Sequence, residues 1–220
     1  MSGTRKYELK QRAAAMAETR RRITEAAVDL HGTVGPARTT LSAVAERAGV
    51  QRHTVYRHFP SEAELYRACS AHWLTANPLP DLDAWRAIRP PRERLAYALD
   101  ELYGYYERSE PMLLNVFRDL DLVDALEPTV APLQDFLAEG AAALTAGWNS
   151  RGRRRHLLRA ALRHVLDFHT WRSLTADAQV TPAEAVELAA ALVQAAAASR
   201  PTPPSSSERR EPHPVEHPPA

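Results

Sequence analysis

Gln51, Arg52 and His53 stand side by side, and Tyr56, Arg57 and His58 follow within two turns of a helix. Amide, guanidinium and imidazole groups gathered on one short stretch suit hydrogen bonding to base edges and phosphates rather than the making and breaking of bonds. Elsewhere, residues able to do chemistry are scattered. Cys69 and His72 are three apart, as are His164 and Asp167, and each pair is at most half of a metal site. No G-x-S-x-G elbow, H-E-x-x-H, P-loop or dinucleotide fingerprint occurs, and the lone Cys69 has no motif around it. The sequence therefore predicts no catalytic residue, no metal and no cofactor, and a chain that is not an enzyme.

A short polar helix needs a scaffold that presents it. In the segment from Thr39 to Phe59, Thr40 caps a helix beginning at Leu41, Val44 and Ala45 face inward, and Gly49 falls four residues after Ala45. A small residue where two helices cross, and a glycine where the chain turns left-handed, are what a helix-turn-helix requires. Val50 and Val55 pin the second helix, leaving Gln51, Arg52, His53, Arg57 and His58 outside. Charge agrees with this reading. Residues 1–60 carry 11 Lys or Arg against 5 Asp or Glu, a net of +6, whereas residues 61–220 carry 17 against 22, a net of −5. Positive charge concentrated in one small module is the footprint of a phosphate-binding surface.

The rest of the chain reads as helices. Residues 1–14 are expected to form a flexible basic arm, 15–60 the helix-turn-helix domain, 61–198 a larger helical domain, and 199–220, with seven prolines, a disordered tail. Helices are expected over about 15–32, 41–48 and 52–58, from Ser61 to Pro78, from Pro90, again from Pro111, through the stripe from Val130 to Trp148, and over about 153–174 and 181–198. Hydrophobic residues at 45% and charged residues at 25% suit a soluble globular chain. With one cysteine, no apolar run long enough to span a bilayer and a polar N-terminus, the expected location is the cytoplasm, with no membrane association.

The Thr39–Phe59 segment resembles the TetR family. The family pattern T-T-x-x-x-I-A-x-x-A-G-V-S-x-G-T-L-Y-x-H-F, followed by P-S-K-E-x-L, is matched at Thr39, Thr40, Ala45, Ala48, Gly49, Val50, Thr54, Tyr56, His58, Phe59, Pro60, Ser61 and Leu65. The resemblance implies an all-α fold: a three-helix DNA-binding domain, then a helical ligand-binding and dimerisation domain. It implies a homodimeric repressor on a palindromic double-stranded DNA operator, released by a small-molecule effector. By position, Gln51, Arg52 and His53 face bases, while Thr40, Thr54, Tyr56 and His58 contact phosphates. His53 replaces a common glycine, Gln51 a common serine and Glu62 a common lysine.

Two further expectations concern the body. Tyr103, Tyr106, Phe117, Trp148 and His169 are candidates for lining an apolar cavity, and with no basic clamp apparent in the body the effector is expected to be apolar or aromatic. The last two helices carry two apolar stripes each, which calls for more than one packing partner. Of these stripes, Leu158, Leu162, Val165, Val186, Ala190 and Val193 are assigned to a four-helix dimer interface.

Overall fold

Strong helix formers from Glu8 to Ala17 carry the first helix far beyond its buried stripe. In the computed structural model, which describes residues 2–198, α1 spans Ser2–Thr33. From residue 2 onward the expected flexible arm is therefore helical. Tyr7, Leu9 and Met16 remain largely exposed, so this N-terminal part is held by propensity rather than packing. The tail expected over 199–220 lies outside the described residues. No strand occurs among the described residues, and none of their helices is long and apolar enough to cross a membrane.

The C-terminal half of α1 buries Ile23, Ala26 and Ala27 against α2 (Leu41–Ala48), α3 (Arg52–His58) and α4 (Glu62–Ala76). Val44, Val55, Phe59, Leu65 and Cys69 complete this small core. The second core lies among α5 (Leu82–Ala87), α6 (Pro91–Asp119), α7 (Glu127–Thr145), α8 (Gly152–Val165), α9 (Phe168–Arg172) and α10 (Pro182–Ala198). Trp85, Leu99, Tyr106, Leu144, Leu158 and Phe168 are among its most deeply buried members.

Two helices differ from expectation. α6 runs unbroken through Pro111. Pro111 and Glu107, whose carbonyl loses its helical partner, both lie on the exposed side, where water replaces the missing bond. Conversely, the helix expected over 153–174 is two. The Tyr103 and Tyr106 hydroxyls donate to the carbonyls of Val165 (2.9 Å) and Leu166 (2.6 Å), engaging the end of α8. Asp167 then caps α9 by accepting from the backbone N–H groups of His169 (2.8 Å) and Thr170 (3.3 Å). A π-helical turn, Ser173–Asp177, follows α9.

The two cores meet where α6 grips the end of α1. Asn115 Nδ2 donates to the carbonyls of His31 (3.1 Å) and Gly32 (2.9 Å), orphans of a helix C-terminus. Asp119, only 2% exposed, accepts from the Ala37 N–H at 3.0 Å and pairs with Arg118, whose Nη2 also donates to the Val34 carbonyl at 3.2 Å. Gly35, at φ +96°, lets the chain pass: a β-carbon there would lie 2.0 Å from Arg118 Nη2 and 2.6 Å from Asp119 Oδ2.

His31 sits at this junction, its ring 5.2 Å from that of Tyr66. Burial holds the imidazole neutral, with its pKa pushed down to about 4 against the opposing pull of Asp119. The unfolded chain takes up this proton near pH 6.5, so between there and about pH 4 the unfolded state binds more protons and stability falls with falling pH. Tyr66 and Cys69, both pushed up to about 12 by burial, stay neutral throughout. Asp119, held below its ordinary value by Arg118, loses its contribution only at more acid pH. Urea unfolding should therefore show a drop of up to about 3 kcal/mol attributable to His31 between pH 7 and pH 4. In His31→Phe that part should vanish; an unchanged pH slope would remove His31 as its source.

Candidate nucleic-acid interface and internal cavity

The placement of α3 depends first on the turn before it. Thr40 Oγ1 accepts from the Ala43 N–H at 3.1 Å and starts α2; Gly49, at φ +66°, ends it, and the Val50 N–H closes the turn onto the Ala45 carbonyl at 2.9 Å. Arg22 braces the same turn by donating to the Ala48 carbonyl. Fully buried Val55 fixes the rotation of α3 about its own axis.

With Val55 inward, Gln51, Arg52, His53 and Arg57 are exposed, Thr54 is half-buried and Tyr56 is 45% exposed. Arg52 and Tyr56, one turn apart, are joined: Arg52 Nη2 donates to Tyr56 Oη at 3.1 Å and its guanidinium stands 5.6 Å from the ring centroid. The hydroxyl thereby limits where the guanidinium reaches. Thr40 is exposed beside this face although its hydroxyl is engaged as a cap.

His58 corrects the sequence reading. It is 8% exposed, on the Val55 side of α3, and burial together with Arg57 and Arg20 lowers its pKa and favours the neutral ring. Its backbone carbonyl accepts from Arg20, which also lies 4.0 Å over the Phe59 ring. A largely buried, neutral imidazole is poorly placed for the expected phosphate contact, and its Nε2 finds no hydrogen-bond partner among the described residues.

Between the two cores lies a narrow apolar cavity of about 80 Å³. Val28, His31 and Pro36 reach it from the N-terminal side, Tyr66, Cys69 and Trp73 from α4, and Tyr105, Met112, Leu126 and Leu133 from the body. Its ionisable lining is neutral, since burial depresses the His31 pKa and raises those of Tyr66, Cys69 and Tyr105. The indole Nε1 of Trp73 is buried without an acceptor.

None of the five expected pocket residues lines this cavity. Tyr106, Phe117 and His169 pack around Phe168 with ring centroids 5.4 to 5.5 Å apart, Tyr103 stacks on Tyr106, and Trp148 donates back to the Leu144 carbonyl at 2.9 Å. These aromatic rings fill space instead of lining it. Tyr103 alone also borders an opening, a surface groove between α6 and α10.

The assigned dimer stripe is likewise internal. Leu158, Leu162, Val165, Ala190 and Val193 are buried within the chain and Val186 packs on the same core. The neighbouring stripe faces out, with Leu188 51% and Leu192 46% exposed. The expectation of no basic clamp also gives way: α8 aligns Arg155, Arg159 and Arg163 along a groove against α7. Their spacing of four was visible in the sequence.

Residues 23–69 match the family profile described as bacterial regulatory proteins, tetR family. Similar over 82 residues, at 38% identity, are two proteins of Pseudomonas putida, the HTH-type transcriptional regulator SrpR and the uncharacterized HTH-type transcriptional regulator TtgW. These matches span 34% of this chain, and 38% and 61% of the respective relatives. A TetR-like transcriptional regulator from Rhodococcus sp. RHA1 shares the fold with a TM-score of 0.56 at 22% identity, over 83% of this chain and 97% of that one. A TetR transcription regulator from Haloarcula marismortui ATCC 43049 does so with a TM-score of 0.54 at 18% identity, over 82% and 97%. Residues 23–69 are thus a TetR-type N-terminal domain, carried on a chain that shares the all-helical fold of these regulators.

Proposed function

We propose that this protein is a homodimeric transcriptional repressor that grips a palindromic operator through α3 and is released by a small neutral apolar ligand. The observation that carries the reading is the exposed face of α3, with Gln51, Arg52, His53 and Tyr56 outward while Val55 locks the helix beneath them. Gln51, Arg52 and His53 read base edges in the major groove; Thr40, Thr54 and Tyr56 contact phosphates. The names of the bacterial relatives, all HTH-type transcriptional regulators, agree. Gel shifts on DNA upstream of the protein's own gene test this directly. Arg52→Ala should cost about 1 to 3 kcal/mol on the preferred site and relax sequence preference, whereas Tyr56→Phe, which removes a phosphate contact and also frees the Arg52 guanidinium, should weaken all sequences with a smaller loss of preference. Unchanged affinity and preference in Arg52→Ala would exclude α3 as the reading element.

Leu188 and Leu192, with Ala191 between them, are large exposed side chains on the outer face of α10 and supply the seam for a second copy. An isologous contact of this kind relates two copies of α3 by a two-fold axis, which a palindrome mirrors. Light scattering should give a dimer at micromolar concentration and a folded monomer for the Leu188→Glu/Leu192→Glu double variant. A monomeric parent protein would refute the dimer. Val193→Glu, in contrast, should unfold the chain, because Val193 lies inside it.

The cavity beneath the α1–α6 junction is the effector site. At about 80 Å³ it is smaller than the few hundred Å³ usual for a ligand site, so filling it must move its walls, and those walls include α1 and α4 of the DNA-binding domain. Its neutral lining selects an uncharged molecule, and Trp73 Nε1 offers one donor. Native mass spectrometry followed by gel shifts should identify a neutral co-purifying compound that lowers operator affinity, with the effect lost in Val116→Phe, since Val116 of α6 lines the cavity and the larger ring fills it. A compound that binds there and leaves operator affinity unchanged is not the inducer.

A further inference from the structure

Several arginines of the chain are neutralised internally. Arg21 pairs with Glu18 and Glu25, Arg47 with Asp29, Arg86 with Asp83 and Glu139, and Arg118 with Asp119. Arg155, Arg159 and Arg163 on α8 are not, and their alignment along one groove carries an inference. Among the described residues these three form no ion pair or hydrogen bond, although they recur every four positions along one line of the helix. Like charges at that spacing repel one another, and a span of about 12 Å from first to last makes a continuous positive edge.

An exposed row of arginines is ordinarily just solvated surface. Here it forms one wall of a groove of about 690 Å³ whose opposite wall and floor come from Leu137, Ala138, Ala141 and Ala142 of α7. The volume lies in the range of small-molecule sites. Small apolar residues along one side and guanidiniums along the other leave room for an aliphatic chain beside an anionic group. No aromatic ring lines the groove to stack a base or a sugar. The one carboxylate at its end, Asp167, is engaged in capping α9. The groove lies on the α7 side of α8, and neither Leu188 nor Leu192 of α10 lines it.

We propose that the α7–α8 groove is a second ligand site that takes a single-chain amphiphile with an anionic headgroup, a carboxylate or phosphate monoester. The arginines hold the headgroup, by the bidentate geometry that guanidinium offers either anion, and Ala138, Ala141 and Leu137 cover the chain. This site is separate from the neutral cavity beneath the α1–α6 junction and does not depend on what binds there.

Calorimetric titration of the full chain with decyl phosphate, decanoate, decanol and inorganic phosphate, each below its micellar concentration, tests the proposal. Decyl phosphate and decanoate should bind once per chain, decanol at least tenfold more weakly, and inorganic phosphate at least tenfold more weakly still. Arg159→Gln/Arg163→Gln should weaken decyl phosphate tenfold or more. Ala141→Phe, which blocks the groove while keeping the charges, should abolish the chain-dependent part of binding and leave decyl phosphate no tighter than phosphate. Val116→Phe, in the other cavity, should leave it unchanged. No binding by either anionic amphiphile, equal binding of phosphate and decyl phosphate by the parent chain, or binding that survives both groove variants would each overturn the assignment.

Discussion

The carboxylate of Asp119 is the contact on which the arrangement of the two halves depends. It sits buried at the end of a 29-residue helix, accepts the N–H of Ala37 from the loop after α1, and is itself held by Arg118. Asn115, one turn earlier, takes the last carbonyls of α1. Breaking one partner of a buried, charge-assisted set leaves the rest unsatisfied, so these residues act as a unit. The N-terminal core is small and its helices α2 and α3 are short, so α3 is only as well placed as α1, and α1 only as well placed as the end of α6. The neutral cavity lies directly under this clamp, with His31 shared between the two. In the proposed mechanism, a ligand that widens the cavity works against that set of hydrogen bonds.

The charge of the N-terminal module overstates what faces DNA. Arg22 is spent on the turn after α2, Arg20 on the end of α3, and Arg21 and Arg47 are paired with carboxylates. What remains on α3 itself is Arg52 and Arg57, with His58 neutral and inward. In the proposed mechanism, affinity resting on so few free cations is less salt-sensitive than a net of +6 suggests, and the exposed Lys10 and Arg12 of α1 become correspondingly more important to it.

Local signals were legible in the sequence and long-range ones were not. The helix-turn-helix could be read because its determinants, a cap, a small residue, a left-handed glycine and two inward valines, fall within sixteen residues from Thr40 to Val55. The capping box at Thr181 and Glu184 forms as the pattern predicts, with Glu184 Oε2 accepting from the Thr181 N–H at 2.8 Å. Where two stripes of one helix are equally apolar, composition does not say which faces inward, and on α8 and α10 the stripe assigned to a partner proved to be the one buried within the chain. Aromatic residues misled for a related reason. Tyr103, Tyr106, Phe117 and His169 satisfy one another and a helix end, whereas the cavity forms where shorter side chains from distant segments fail to meet. The extension of α1 back to Ser2 was weighed down by its charges, although Ala13 to Ala15 and their neighbours are strong helix formers. The arginine row on α8 was hidden by a net negative charge averaged over the whole body.

That row matters because of how α8 is tied to the rest of the molecule. Its last carbonyls are held by the hydroxyls of Tyr103 and Tyr106, both on α6, the same helix whose C-terminal end carries Asn115, Arg118 and Asp119. The end of α8 and the end of α1 are thus both hydrogen-bonded to α6, at different points along it. Such a connection transmits nothing unless it has two arrangements that a ligand distinguishes. The places for a second arrangement are specific: the break between α8 and α9, where Asp167 caps one helix at the mouth of the groove, and the Gly35 passage, where backbone and Arg118 meet at a spacing only glycine permits. An anion drawn to Arg163 approaches Asp167 and competes electrostatically with the cap of α9. A neutral molecule entering beneath His31 acts at the opposite end of α6. The two proposed sites differ in charge; one is lined by α6 and the other borders a helix whose end is hydrogen-bonded to α6, so their ligands are coupled only to the extent that α6 moves as a unit.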